Sequence, residues 1–171
     1  MELALLPTIR PAIEDDIPAI VAISDSAYWS NFQWLEPDAW DRPGYRDLVG
    51  EMHRKEAREF WPDIMIADFD GRPGGWGARF AGGNEIAEMW VHADFQGGGA
   101  GAALIRRFLG DIAREGHGEA WIETHRRNEG AIRLYRRMGF IPDHEITRFS
   151  KGLGRDIPLI RMRRPSGDTF R

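Results

Sequence analysis

The chain has 171 residues, 42% of them hydrophobic and 29% charged, with 27 acidic against 23 basic side chains and a formal net charge of -4 at pH 7. That length and balance predict one soluble domain with a sizeable core, and the negative sign gives no support for nucleic-acid binding driven by phosphate neutralisation. The lack of cysteine excludes disulfides, thiol nucleophiles and cysteine-ligated metals.

The opening "MELALLPTIRPAIEDD" has neither a basic leader nor a long apolar stretch, and no run nears the roughly 18 residues of a membrane span. The expectation is a cytoplasmic protein without a membrane partner. A short strand is predicted near Thr8 to Arg10, followed by a helix entered through Asp15 and Asp16 with Pro18 in its first turn. A second helical region runs from about Glu36 to Phe60, divided by Pro43 and Gly44. "DIMIADFDGRPGGWGARFA" predicts two strands around a turn at Asp70 and Gly71. In "EIAEMWVHA", strand alternation places Ile86, Glu88, Trp90 and His92 on one face and Ala87, Met89 and Val91 on the other.

The period then changes from two to 3.6 across a glycine-rich turn, since Leu104, Ile105, Phe108, Leu109 and Ile112 recur at helical spacing. "EAWIET" is a short strand, "NEGAIRLYRRMGF" a helix closed by Gly139, and "IPLIRM" a terminal strand reached through a stretch loosened by Gly152 and Gly154. One mixed α/β domain over residues 1–171, with helices packed on a sheet, accounts for this order. Residues 162–171 are expected to form a flexible tail.

Four glycines within residues 97–101 carry an entropic cost that needs a return. A glycine-rich turn between strand and helix leaves backbone N–H groups open, and the first helical turn adds four more without intrahelical partners, which together suit a phosphate or pyrophosphate. A triphosphate loop needs lysine and a hydroxyl residue after its last glycine, whereas Gly101 is followed by Ala102 and Ala103. A dinucleotide fingerprint sits after a first strand, and the element order before this turn does not match.

"VHADFQGGGAGAALI", with Gln96, Gly97, Gly99 and Gly101 entering a helix, and "NEGAIRLYRRMGF", with Asn128, Ala131, Leu134, Tyr135, Gly139 and Phe140, resemble the two signatures of the acyl-CoA-dependent N-acetyltransferases of the GNAT superfamily. "TIRPAIEDDIPAI" is similar to the family's usual opening. The resemblance spans nearly the whole chain and implies an α/β (mixed α+β) fold: about seven mostly antiparallel strands, splayed centrally, with about four helices.

The resemblance further implies acetyl-CoA as acyl donor, with no metal, and an amine acceptor that is a small molecule or a protein N-terminus. The backbone of Gln96, Gly97, Gly98, Gly99, Ala100, Gly101 and Ala102 would hold the pyrophosphate, with Arg106 and Arg107 adding charge or simply facing water. Met89, Trp90 and Val91 would pair with the pantetheine arm, and Asn128 and Ala131 would border it. Tyr135, on one helix face with Ala131 and Met138, would protonate the departing thiolate; the alternative is a core tyrosine. Glu88 is the leading acceptor of the amine proton, in competition with Glu85, His92, Glu123, His125 and water.

The aromatic-rich stretch "SAYWSNFQWLEPDAWDRPGY" offers Tyr28, Trp29, Phe32 and Trp34 as the acceptor side, or as core or dimer surface. Arg163 and Arg164 bind a cofactor phosphate or nothing. The open edge of the C-terminal strand is a candidate homodimer surface. A noncatalytic acyl-CoA sensor and a partner-binding module on the same fold are the rival readings.

Overall fold

The computed structural model describes residues 6–35, 37–39 and 41–165; the side chains at 32–34 and 39 lie outside the description. In chain order the elements are β1 (Thr8–Pro11), α1 (Ile17–Leu35), α2 (Tyr45–Phe60), β2 (Ile64–Asp68), β3 (Pro73–Arg79), β4 (Glu85–Val91), α3 (Ala100–Arg114), β5 (Glu119–His125), α4 (Glu129–Arg137), β6 (Ile141–Ser150) and β7 (Arg155–Pro165). The strands form a seven-stranded sheet in the order β1-β2-β3-β4-β5-β7-β6. The mixed, mostly antiparallel α/β fold with four helices is therefore as expected. Among the described residues no helix is long and apolar enough to cross a membrane.

Two compact units divide the chain: Met1–Ala78 with Glu88–Leu104, and Arg79–Ala87 with Ile105–Arg171. In the first, Arg10 on β1 organises the entry to α1. Its guanidinium grips Asp16 with both ends, Nη1 to Oδ2 at 2.7 Å and Nη2 to Oδ1 at 2.8 Å, while Nε reaches Asp68 Oδ2 on β2 at 3.0 Å. Asp16 also accepts from the Ile13 N–H at 2.9 Å, so one carboxylate satisfies a helix-entry donor and a strand cation together. The Arg10 guanidinium holds the Asp16 carboxyl below the usual range, against the opposing pull of burial.

The predicted hairpin forms, with Asp70 and Gly71 at φ 56° and 78° and the Phe69 N–H donating to Arg72 O at 3.0 Å. Ala12, Ile20, Ile23, Ala57, Ile64, Ile66 and Trp76 make the buried core of this unit.

The close contacts of β3 are made possible by Gly74 and Gly75. A Cβ on Gly74 would lie 2.5 Å from the Phe95 ring, and one on Gly75 would lie 3.1 Å from Trp90 O and 3.4 Å from the Ala100 Cβ. Two adjacent glycines thus let the turn before α3 sit directly on the strand.

In the second unit, β4 and β5 run parallel with register at Glu85↔Trp121 and Ile86↔Ile122. β5 pairs antiparallel with β7, and β7 with β6. Two expectations need correction. The C-terminal strand β7 lies between β5 and β6, so the sheet edge at this end belongs to β6. Residues 162–165 are strand rather than loose tail, paired with β5 from Ile122↔Met162 to Glu119↔Pro165, and Met162 and Arg164 are buried; residues 166–171 lie outside the described residues.

Replacing Arg10 by methionine is expected to cost about 2 kcal/mol at pH 7, because two largely buried carboxylates lose their cation. Asp16 has a depressed folded pKa, so its share is present at neutral pH and lost as pH falls through that pKa. Urea denaturation of both proteins between pH 7 and pH 3 should show the difference narrowing in acid.

Candidate acyl-transfer site

The glycine turn leads directly into α3. Gln96 leaves a short 3-10 turn in extended geometry, Gly97 and Gly99 take φ 79° and 88°, and α3 starts at Ala100. The left-handed angles are what require glycine here, since a Cβ at Gly97 would meet nothing within 4 Å. The Ala103 N–H donates to Gly99 O at 3.0 Å, and the Gly98 N–H to Phe95 O at 3.1 Å. Among the described residues no acceptor serves the N–H groups of Gly99, Ala100, Gly101 or Ala102. Successive unpaired donors at a helix start fit a group bearing several anionic oxygens.

Two serines of α1 hold this turn in place. Ser26 Oγ accepts from the Ala93 N–H at 3.0 Å, and Gln96 Nε2 reaches Ser30 Oγ at 3.4 Å and Val91 O at 3.3 Å. Neither serine was distinguishable by local spacing. Arg107 pairs with Asp111 at 3.0 Å one turn along the helix, and Arg106 is exposed.

On β4, alternation places Glu88 beside Trp90 as expected, and the Trp90 Nε1–H donates to Glu88 Oε2 at 2.8 Å. Loss of hydration pushes the Glu88 carboxyl up to about 7; the indole hydrogen bond pulls against this and the charge of Glu56 adds to it. Glu88 nevertheless keeps solvent-accessible surface. Protein atoms surround the carboxyl closely enough to strip hydration although part of the residue stays exposed, and the direction of the shift follows from those surroundings.

The competing proton acceptors are otherwise engaged. Glu85 pairs with Arg161 at 3.1 Å. Glu123 is held by Arg148 at 2.6 Å and by Arg161; burial pushes its carboxyl up, but the two guanidiniums bring it below the usual range. His92 Nδ1 accepts from the Asp94 N–H, and His125 Nδ1 from the Arg127 N–H, each at 3.2 Å.

Tyr135 is buried on α4, with Met138 buried and Ala131 half-buried on its face. Asn128 caps this helix, its Oδ1 accepting from the Ala131 N–H at 3.2 Å and its backbone O from Ile132 at 3.0 Å. Gly139 closes it at φ 85°, letting the Phe140 N–H return to Tyr135 O at 2.9 Å. A Cβ on Gly139 would lie 2.7 Å from Arg164 Nε, so Arg164 packs over the helix end, while Arg163 pairs with Asp143 at 2.9 Å.

Of the aromatic stretch, Tyr28 and Tyr45 are buried with their hydroxyls bonded to each other, and Arg46 lies over the half-buried Trp29 ring at 4.9 Å. Tyr28 therefore contributes to packing. The side chains of Phe32 and Trp34 lie outside the described residues. Two participants escaped sequence reasoning: His53, buried on α2, and Asp25 on α1, joined Nδ1 to Oδ1 at 2.5 Å. Their 28-residue separation leaves no local pattern to find them by. Among the described residues no three His, Asp or Glu side chains gather in a metal-binding group.

Comparison with known proteins identifies the family and the fold. Residues 25–140 match the profile of the Acetyltransferase (GNAT) family. An uncharacterized N-acetyltransferase of Methanocaldococcus jannaschii is 40% identical over 58 residues, 33% of this chain and 25% of that protein. The chain spans a quarter to about half of the length of the curated relatives it matches. Among solved structures, a GCN5-related N-acetyltransferase from Rhodopseudomonas palustris superposes with TM-score 0.75 at 17% identity, over 96% of this chain and 99% of that one. An acetyltransferase from Salmonella typhimurium, solved with its cofactor acetyl-CoA, gives 0.61 at 23%, over 95% of each.

Carbon-detected NMR of glutamate carboxyls is expected to find Glu88 titrating near 7, with Glu123 below the ordinary glutamate range. A Glu88 midpoint near 4 to 5 would remove the raised carboxyl from the account.

Proposed function

Because the chain belongs to the acetyltransferase (GNAT) family, we propose that it is an N-acetyltransferase moving the acetyl group of acetyl-CoA to a primary amine. The observation that carries this reading is the set of four unpaired N–H groups from Gly99 to Ala102 behind two left-handed glycines. Those amides, with Gln96, Gly97 and Gly98, would hold the pyrophosphate, and the backbone of Met89, Trp90 and Val91 would pair with the pantetheine amides. Asn128 and Ala131 would border the arm. Acetyl-CoA supplies the activated thioester; the chain supplies orientation and proton transfer. The single acyltransferase domain over residues 1–171 is part of the proposal.

In the proposed reaction the amine attacks the thioester carbon directly, forming the C–N bond in a tetrahedral adduct that then collapses with cleavage of the C–S bond. Glu88 takes the amine proton. A carboxylate raised toward 7 is a stronger base than an ordinary glutamate and still ionised in useful amount at neutral pH. Tyr135 gives its phenolic proton to the leaving thiolate. A small amine and a protein N-terminus are both acceptors to be screened, with Trp29, Phe32 and Trp34 as the proposed acceptor side and Tyr28 packed behind it.

Calorimetric titration with acetyl-CoA tests the cradle. The native chain is expected to bind, and Gly99→Asp to bind at least ~10-fold more weakly, since a carboxylate would face the pyrophosphate. Tyr135→Phe should keep binding while kcat falls by about 10²–10⁴. Binding without turnover of any amine would favour an acyl-CoA sensor; no binding by the folded native chain would remove the acetyl-CoA reading.

A further inference from the structure

We propose that Trp90 is a positioning residue for Glu88, its indole N–H fixing one carboxylate oxygen so that the other faces the acceptor amine. This rests on the assignment of Glu88 as the base. The contact is direct, Nε1 to Oε2 at 2.8 Å between residues two apart on β4. The remaining oxygen, Oε1, is the one left for the substrate.

The indole is itself held on several sides. The Tyr28 ring stacks on it at 6.4 Å and 26°, and the Trp76 ring at 6.2 Å and 28°. The His53 ring meets it edge-on at 5.9 Å and 65°. Each neighbour is pinned in turn. Trp76 Nε1 donates to Ser24 Oγ at 3.0 Å, and Ser24 donates to Ile20 O at 2.8 Å. Tyr28 is tied to Tyr45, and His53 to Asp25. Turning the indole about χ2 would disturb its contacts with the Tyr28, Trp76 and His53 rings, so its N–H direction is set by this aromatic cluster.

The chemistry of the donor matters as much as its rigidity. Glu123 shows what a cationic donor does here: two guanidiniums neutralise it and draw its proton affinity down. An indole orients a carboxylate without supplying a charge, which leaves a usable base. The groups around Glu88 and its indole are Glu56 and His53 on α2 and Asp25 and Tyr28 on α1, while Trp76 on β3 brings no charge. Among them Glu56 raises the proton affinity of Glu88 and the indole lowers it.

Trp90→Phe keeps a stacked ring and deletes the N–H. The ascending limb of its kcat/KM profile is expected to move up by about one pH unit, with kcat/KM at pH 7 about tenfold lower. In the wild-type protein the Trp90 indole N–H resonance should titrate with Glu88 near 7 and stop doing so in Glu88→Gln. A wild-type resonance that ignores Glu88 overturns the proposal without any variant at position 90. A limb lost in Glu88→Gln but unmoved in Trp90→Phe overturns the positioning role alone, whereas an unchanged profile in Glu88→Gln overturns the base assignment and the positioning role together.

Discussion

The close seating of the turn before α3 against β3 is the constraint on which the N-terminal unit depends. Gly74 and Gly75 leave space that a methyl group would fill, with Phe95 at 2.5 Å and Trp90 O at 3.1 Å from the missing Cβ atoms. Phe95, packed on Phe69 with ring centroids 4.9 Å apart, carries the turn that presents Gly97 to Ala102. The same approach fixes the backbone at Trp90, and with it the side chain that contacts Glu88. The glycine turn and Glu88 are thus referred to one stretch of strand whose contribution is the absence of side chains.

Charge is used in two opposite ways. Twenty-one of the 23 basic residues are arginine, and several forks close on carboxylates within the molecule: Arg10 on Asp16 and Asp68, Arg148 and Arg161 on Glu123, Arg163 on Asp143. The proton affinities of Asp16, Glu123 and Asp143 are lowered in this way, and most of the pairs join elements far apart in sequence. Glu88 is the counterexample. It receives a neutral donor and a nearby like charge, and its affinity rises. Burial acts on both Glu88 and Glu123 in the same direction, so the partner decides the outcome.

What was legible in the sequence is what repeats over short distances. The change of period across Gly97–Gly101, the Asp70–Gly71 hairpin, the shared face of Glu88 and Trp90 and that of Ala131, Tyr135 and Met138 all follow from local geometry. The Arg10 grip, the His53–Asp25 pair and the serines under the turn join residues whose relation is set by the folded sheet and helices, and no period encodes them. The position of β7 was misjudged for a related reason: the last strand in the chain need not be the last in the sheet, because β6 is paired outside it. Aromatic density likewise does not separate a pocket from a core. Tyr28 and Tyr45 are buried, and burial depends on what packs over them.

β6 ends one side of the sheet with ten residues, nearly all exposed, and Ile141 and Phe149 stand toward its two ends. Between them lie Asp143, His144, Glu145 and Arg148, and the register slips between Pro142 and His144. A proline without an N–H, a slipped ladder and alternating charge interrupt the template that a flat strand would offer to a neighbouring chain. The outermost strand thus offers a neighbouring chain a broken ladder in place of a continuous one, through the same residues that finish the fold.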